Sequence, residues 1–159
     1  MTDSIVIAAA RRTAIGSFQG QFARVSAPEL GSAAIRAAVT DAGIPAADIS
    51  EALLGCVLPA GLGQAPARQA ALGADLPISV GCTTINKVCG SGMKSVMQGH
   101  DALRAGSANV VVAGGMESMT NAPYLAKRSL RMGHDQLLDR VFYDGLQSPY
   151  DGQMMGQFG

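Results

Sequence analysis

The chain has 159 residues, enough for one hydrophobic core, and 48% of them are hydrophobic. Its 12 basic and 12 acidic residues balance, so the sequence lacks the excess positive charge that nucleic-acid binding requires. Low charge and 20 glycines favour a compact α/β protein and exclude a disordered or acidic binding tail.

The cysteines and the N-terminal segment indicate the cellular compartment. Three cysteines are an odd number without the spacing of a secreted disulfide scaffold, which favours reduced thiols. The apolar run over residues 5–10 follows an acidic residue and is too short for a signal-peptide core or a membrane span. The sequence therefore predicts a cytoplasmic protein.

The predicted elements alternate along the chain. The first is a buried strand, SIVIAAA at 4–10, and a capped, alanine-rich helix follows at 26–43. Strands are then predicted at 51–59, 82–88 and 109–115, with helices at 65–73 and 91–106 between them. The alternation predicts an α/β domain over 1–116, with a mostly parallel mixed sheet and helices on both faces. Periodicity fades after it, so loops and short helices are predicted for 117–159.

Cys89 lies between a predicted strand and a predicted helix. Backbone N–H groups at a helix N-terminus favour a thiolate, and the thiolate is the nucleophilic form of cysteine. Gly90 and Gly92 each lower the stability of the first helical turn by roughly 0.5 to 1 kcal/mol relative to alanine. Because glycine has no side chain, this loss indicates that a substrate or another backbone lies close to the turn. The alternative is that Cys89 is a small buried hydrophobic residue, as free cysteines commonly are.

No base for Cys89 is evident among the histidines. His100 lies about 16 Å further along the predicted helix, so it cannot touch the thiol, and it is predicted to be a packed or interface residue. His134 is predicted to be a solvent or loop residue. Cys56 and Cys82 fit strand burial.

Metal and nucleotide motifs are also poorly matched. The cysteines and histidines do not have zinc-ligand spacing, and GLGQAP at 61–66 breaks the dinucleotide fingerprint. Neither a metal nor a nicotinamide cofactor is expected.

Several motifs carry a family resemblance. INKVCGSGMKSVMQGHDAL at 85–103 resembles the acyl-enzyme signature of the thiolases. Further blocks resemble thiolase segments in thiolase order: AARRTAIGSFQG at 9–20, GQAPARQAALGADLP at 63–77, VVVAGGMESMTNAPY at 110–124 and RMGH at 131–134. The resemblance covers essentially the whole chain and is closest to the acetyl-CoA acetyltransferases.

The resemblance implies a thiolase-like fold and reversible Claisen condensation through an acyl-cysteine on Cys89. Two acetyl-CoA would give acetoacetyl-CoA and CoA, or a 3-ketoacyl-CoA would be cleaved. The match of DGLQSPYDGQMMG at 144–156 to the family's loop domain implies that Leu146 contacts pantetheine and Met155 lines the acyl pocket. Coenzyme A thioesters are thus the expected substrates, and a homodimer or homotetramer is the expected assembly.

Two departures from the family pattern affect these expectations. Met154 stands where many members carry a histidine. The family chain is more than twice as long, and its second half supplies the activating histidine, a second cysteine and a glycine-rich oxyanion loop. Residues 117–159 would be the beginning of the loop domain, and the chain alone is expected to be inactive without that C-terminal half.

Two other functions fit parts of the sequence. A decarboxylating ketoacyl synthase shares the fold and the cysteine at a helix start, but NKVCGSG and GGMESM resemble thiolase blocks. A non-catalytic assembly module would use its helices and strands only to complete a partner. Gly-His-Pro and Cys-x-Gly-Gly motifs downstream would decide for thiolase.

Overall fold

The computed structural model describes residues 4–129 and 132–158. Helix α1, Ala27–Ala42, begins at Ser26, whose side chain accepts a hydrogen bond from the Glu29 N–H while the Glu29 carboxylate accepts from the Ser26 N–H. It ends at Gly43, which has φ +64°. These are the capping signals of the sequence, so the predicted helix at 26–43 is confirmed.

The central sheet has three parallel strands in the order β2-β1-β3. They are β1 (Glu51–Gly55), β2 (Gly81–Ile85) and β3 (Val111–Gly115). Helix α2 (Pro66–Gly73) connects β1 to β2, and α3 (Ser91–Arg104) connects β2 to β3. Gly55 pairs with Ile85 and Gly115, so the carboxyl ends of all three strands meet at one edge.

The helices lie on opposite faces of this sheet. Ala52 and Leu54 of β1 belong to a buried cluster with Ala67 and Ala70 of α2. Gly55 points the other way, because a Cβ there would lie 2.5 Å from the Ser91 carbonyl carbon at the start of α3. The predicted α/β architecture with helices on both faces is confirmed.

The N-terminal segment departs from the prediction. Residues 4–10 form no strand and pair with no other strand in the described part of the chain, and Val6 and Ile7 are 74% and 82% exposed. A strand requires a neighbouring backbone, which an apolar run does not supply by itself. The prediction of a core strand here is therefore wrong, and the segment presents exposed apolar side chains.

Several short elements lie outside the central sheet. They are a 3₁₀ turn at Met119–Asn121, the antiparallel pair β4 (Tyr124–Leu125) and β5 (Leu138–Asp139), a π-helix at Val141–Leu146, and a 3₁₀ turn at Met155–Gln157. Another 3₁₀ turn, Ala46–Asp48, precedes β1. No helix in the described ranges is long and apolar enough to cross a membrane.

Gly55 is expected to be a site of strong steric sensitivity. A Cβ at this position would lie within 2.7 Å of the Ser91 carbonyl carbon, the Gly92 nitrogen and the Ser91 Cβ, so Gly55→Ala would push α3 from the sheet. Overpacking of this kind costs about 1–3 kcal/mol or more in the free energy of unfolding, measured by urea denaturation. Gly114→Ala is the matched control, since its Cβ would meet no described atom within 4 Å. Equal losses in the two variants would contradict the packing argument.

Candidate active site

A cleft of about 420 Å³ opens at the carboxyl edge of the sheet. Its lining comes from the ends of β1 and β3, the turn before α3 with the first residues of that helix, the 3₁₀ turn at Met119–Asn121 and the π-helix. The lining residues are Gly55, Cys56, Val57, Leu58, Val88, Cys89, Ser91, Gly92, Gly115, Met116, Glu117, Met119, Val141, Gly145 and Leu146. The edge where parallel strands end is a common position for ligand sites in α/β proteins.

Cys89 lies on a tight turn between β2 and α3. The strand ends at Ile85, three residues earlier than predicted, and α3 begins at Ser91. Val88 has φ +48°, a left-handed conformation that costs a β-branched residue about 1–3 kcal/mol. The turn leaves Cys89 exposed at the cleft, so the alternative of a buried structural cysteine is wrong.

The glycines after Cys89 have different surroundings. A Cβ on Gly115 would lie 3.2 Å from the Gly92 Cα, so α3 and the end of β3 approach backbone to backbone. Gly92 thus meets another backbone, one of the two reasons that the sequence suggested. The nearest described atom to a Cβ on Gly90 would be the Lys87 oxygen at an ordinary 3.5 Å.

No hydrogen-bond acceptor for the backbone N–H of Cys89 is found among the residues that the structure describes. A main-chain N–H beside the reacting sulfur is the type of donor that stabilises an oxyanion during acyl transfer.

Glu117 is a cleft residue that the sequence analysis missed. Its carboxylate accepts hydrogen bonds from the Val57 N–H at 2.7 Å and the Leu58 N–H at 3.4 Å, and the Cys56 Sγ lies 3.7 Å away. The carboxylate therefore links the ends of β3 and β1 at the cleft. The signal was a lone acidic residue two positions after the end of an apolar strand, in the GGMESM block.

The other two cysteines occupy protected positions. Cys56 is 1% exposed, and burial, followed by the nearby Glu117 carboxylate, raises the pKa of its thiol to about 11. Cys82 is half-buried in β2, with its Sγ 3.5 Å from the Val80 carbonyl oxygen. Both predictions of strand burial hold in outline, although Cys56 directly follows β1.

Cys89 is expected to react first with a limiting amount of iodoacetamide. It is the exposed thiol, whereas Cys56 stays protonated and covered at neutral pH, and Cys82 is half-covered. Peptide mass mapping of the folded chain measures the order of labelling. Preferential modification of Cys56 or Cys82 would contradict it, and labelling in denaturant gives the reference in which all three thiols are accessible.

The histidines lie outside the cleft lining. The His100 side chain is 58% exposed on α3, 3.5 Å from Asp101, so it is not packed within this chain; an interface role stays a prediction. His134 is exposed, as predicted. Within the described ranges, no three His, Cys, Asp or Glu side chains are placed to hold a metal.

The two predicted substrate-contact residues occupy different surroundings. Leu146 lines the cleft with Cys89 at the end of the π-helix. Met155, 45% exposed, lies outside the lining formed by the described residues. Met154 forms an isolated antiparallel β-bridge with Gln147, the residue that follows Leu146.

The parallel α/β layers and the exposed cysteine at a strand-to-helix turn define a protein with a cleft suited to cysteine-dependent chemistry. The family model for the N-terminal domain of thiolases matches residues 5–159. The chain therefore belongs to the thiolase family.

Individual relatives agree with this assignment. The chain is 51% identical over 155 residues to an acetyl-CoA acetyltransferase of Pseudomonas aeruginosa, covering 96% of this chain and 39% of the relative. It is 52% identical over 153 residues to the mitochondrial acetyl-CoA acetyltransferase of Homo sapiens, covering 96% and 36%. The Acat5 thiolase of Ascaris suum, crystallised with coenzyme A, superposes with a TM-score of 0.91 at 41% identity, covering 94% of this chain and 40% of that one. The chain spans about 40% of the length of these relatives.

Proposed function

We propose that this chain provides the acyl-accepting half of an acetyl-CoA C-acetyltransferase, with Cys89 as the nucleophile. The observation that carries the proposal is the exposed Cys89 thiol at the cleft, on a turn that ends in the N-terminus of α3. The first turn of a helix favours the thiolate, and the free Cys89 N–H offers a donor for the thioester oxygen. Membership of the thiolase family supplies the substrate class.

The proposed reaction has two acyl-transfer steps. In the condensing direction, the Cys89 thiolate attacks the carbonyl carbon of acetyl-CoA; the new C–S bond forms as the bond to the CoA sulfur breaks, and CoA leaves as a thiolate. A second acetyl-CoA, deprotonated at its methyl carbon, then attacks the acetyl-cysteine carbonyl. Acetoacetyl-CoA forms and the Cys89 thiolate is regenerated. Proton removal and the remaining oxyanion donors are assigned to the second half of the family fold.

The substrate contacts are proposed from the family match and the cleft together. Leu146 would contact the pantetheine arm, which its place in the same cleft lining as Cys89 supports. Met155 would line the acyl pocket once the second half is present, although its support is the family match alone. Met154 replaces an imidazole found in many members, so its contact with substrate would be apolar.

The second half of the fold is the proposed partner of two exposed apolar surfaces. On α3 the buried residues are the small Ser91, Ser95 and Gly99, while Met93 and Met97 are 73% and 53% exposed. The segment 5–7 is exposed as well. Apolar surface of this kind indicates an interaction site.

The remaining features of the whole protein are also proposals. A homodimer or homotetramer fits the family, and the cytoplasmic location stays a prediction, since the human relative has a mitochondrial name. Residues 1–116 and 117–159 are proposed as the N-terminal α/β domain and the beginning of the loop domain.

The reaction class is tested by steady-state kinetics of acetoacetyl-CoA thiolysis. The chain is mixed with a separately supplied second half, and acetoacetyl-CoA and CoA are varied against each other. Transfer through an acyl-enzyme predicts parallel double-reciprocal lines, the pattern of ping-pong kinetics. Intersecting lines, or product formation only by decarboxylation of a malonyl thioester, would contradict the proposal.

A further inference from the structure

Two side chains make hydrogen bonds to the backbone of the turn that carries Cys89. The Ser91 hydroxyl donates to the Val88 carbonyl oxygen at 2.6 Å and accepts from the Lys87 N–H at 2.8 Å. The Asn86 side-chain oxygen accepts from the Val88 N–H at 2.9 Å. Both backbone polar groups of Val88 therefore bind a side chain, and the Val88 carbonyl oxygen also accepts a hydrogen bond from the Ser91 backbone N–H at 3.0 Å.

These contacts act on a residue in an unfavourable conformation. Val88 has φ +48°, where a β-branched side chain is strained, and such geometry persists only when its surroundings impose it. Ser91 is 4% exposed, so its hydroxyl binds main-chain groups away from solvent. The Asn86 amide also donates to the Val57 carbonyl at 3.4 Å, which connects the turn to the end of β1.

We propose that Ser91 and Asn86 are positioning residues that hold Val88 left-handed and thereby fix the Cys89 thiol at the cleft. Without the two side chains, Val88 would relax to negative φ, and this rotation would carry the next residue out of its present place between the cleft and α3. The proposal rests on Cys89 being the proposed nucleophile, but its consequences for the thiol can be measured without turnover.

A second serine of the same helix provides a matched control. Ser95 is fully buried, and its hydroxyl lies 2.6 Å from both the Gly92 and the Gly114 carbonyl oxygens. It is one turn after Ser91 and contacts no atom of the 86–89 turn among the described hydrogen bonds. Ser95→Ala therefore removes comparable buried hydrogen bonds without releasing Val88.

The test is the rate of Cys89 alkylation by iodoacetamide in the folded chain, read by peptide mass mapping with thermal unfolding measured in parallel. Ser91→Ala removes both hydrogen bonds of the hydroxyl and is expected to slow Cys89 labelling by a factor of about five or more, since the loss of one such bond already shifts an equilibrium by about that factor. Ser95→Ala is expected to label Cys89 within about twofold of the rate of the unchanged chain, even if it lowers Tm as much as Ser91→Ala does.

Val88→Gly provides the rescue. Glycine adopts positive φ without steric cost, so the turn no longer needs the side-chain contacts to keep its shape. The double variant Val88→Gly/Ser91→Ala should regain most of the lost labelling rate, which a merely structural role of Ser91 would not produce. The proposal is overturned if Ser91→Ala labels Cys89 at the unchanged rate, or if the double variant stays as slow as Ser91→Ala. Either result leaves the assignment of Cys89 as nucleophile standing, because that assignment is tested by turnover.

Discussion

Cys89→Ala is expected to reduce acetoacetyl-CoA thiolysis by roughly 10⁴-fold or more when the chain is assayed with its second half, the scale of losing an enzyme nucleophile. The reason is that alanine has no atom that can accept the acyl group, so the two-step route is closed. Cys89 is exposed, and its removal leaves the buried core cluster unchanged. Folding, followed by circular dichroism, should therefore match that of the unchanged chain.

Cys82→Ala is the matched control for this substitution. Its thiol is half-buried in β2, and it is not among the residues that line the cleft. Thiolysis by this variant should stay within about an order of magnitude of the unchanged rate, since a modest loss of packing acts on stability rather than on the chemical step. Retained activity in Cys89→Ala, with loss in Cys82→Ala, would move the nucleophile to another thiol.

The chain alone is expected to show almost no thiolysis compared with the chain plus second half. The helix N-terminus beside Cys89 belongs to this chain, but no histidine among the described residues lines the cleft. Carbon–carbon bond chemistry also needs a group that moves the substrate proton. The absence of a general base and the absence of an oxyanion donor each lower the reaction rate by a factor of about 10² to 10⁴.

The measurement compares acetoacetyl-CoA thiolysis by the purified chain with and without the second half at equal concentration. Slow acylation of Cys89 is compatible with the account, because the turn and the start of α3 lie in this chain. Turnover by the chain alone near the rate of the mixture would show that the catalytic base lies within it. His134 would then be the first residue to replace.

The elements around the site were predictable because their signals are local. The Ser26 and Glu29 side chains that cap α1 are visible as a sequence pattern, and so is the strand-to-helix position of Cys89.

Other features depend on contacts between distant parts of the chain. The segment at 4–10 has the composition of a core strand, but pairing requires a neighbouring backbone that no local pattern reveals. The Glu117 carboxylate accepts hydrogen bonds from the backbone N–H groups of Val57 and Leu58, which lie 60 and 59 positions earlier in the chain. The left-handed Val88 is a β-branched residue where glycine or asparagine would be expected, so sequence preference argues against the observed turn.

The most direct measurement of the central claim is the location of the acyl group. The chain with its second half is incubated with acetyl-CoA labelled in the acetyl carbons, quenched in acid and digested, and the labelled peptide is sequenced by mass spectrometry. We expect the label on Cys89 as a thioester, and free CoA added before the quench should remove it with release of labelled acetyl-CoA. Label on Cys56 or Cys82, or no covalent label while thiolysis proceeds, would contradict it.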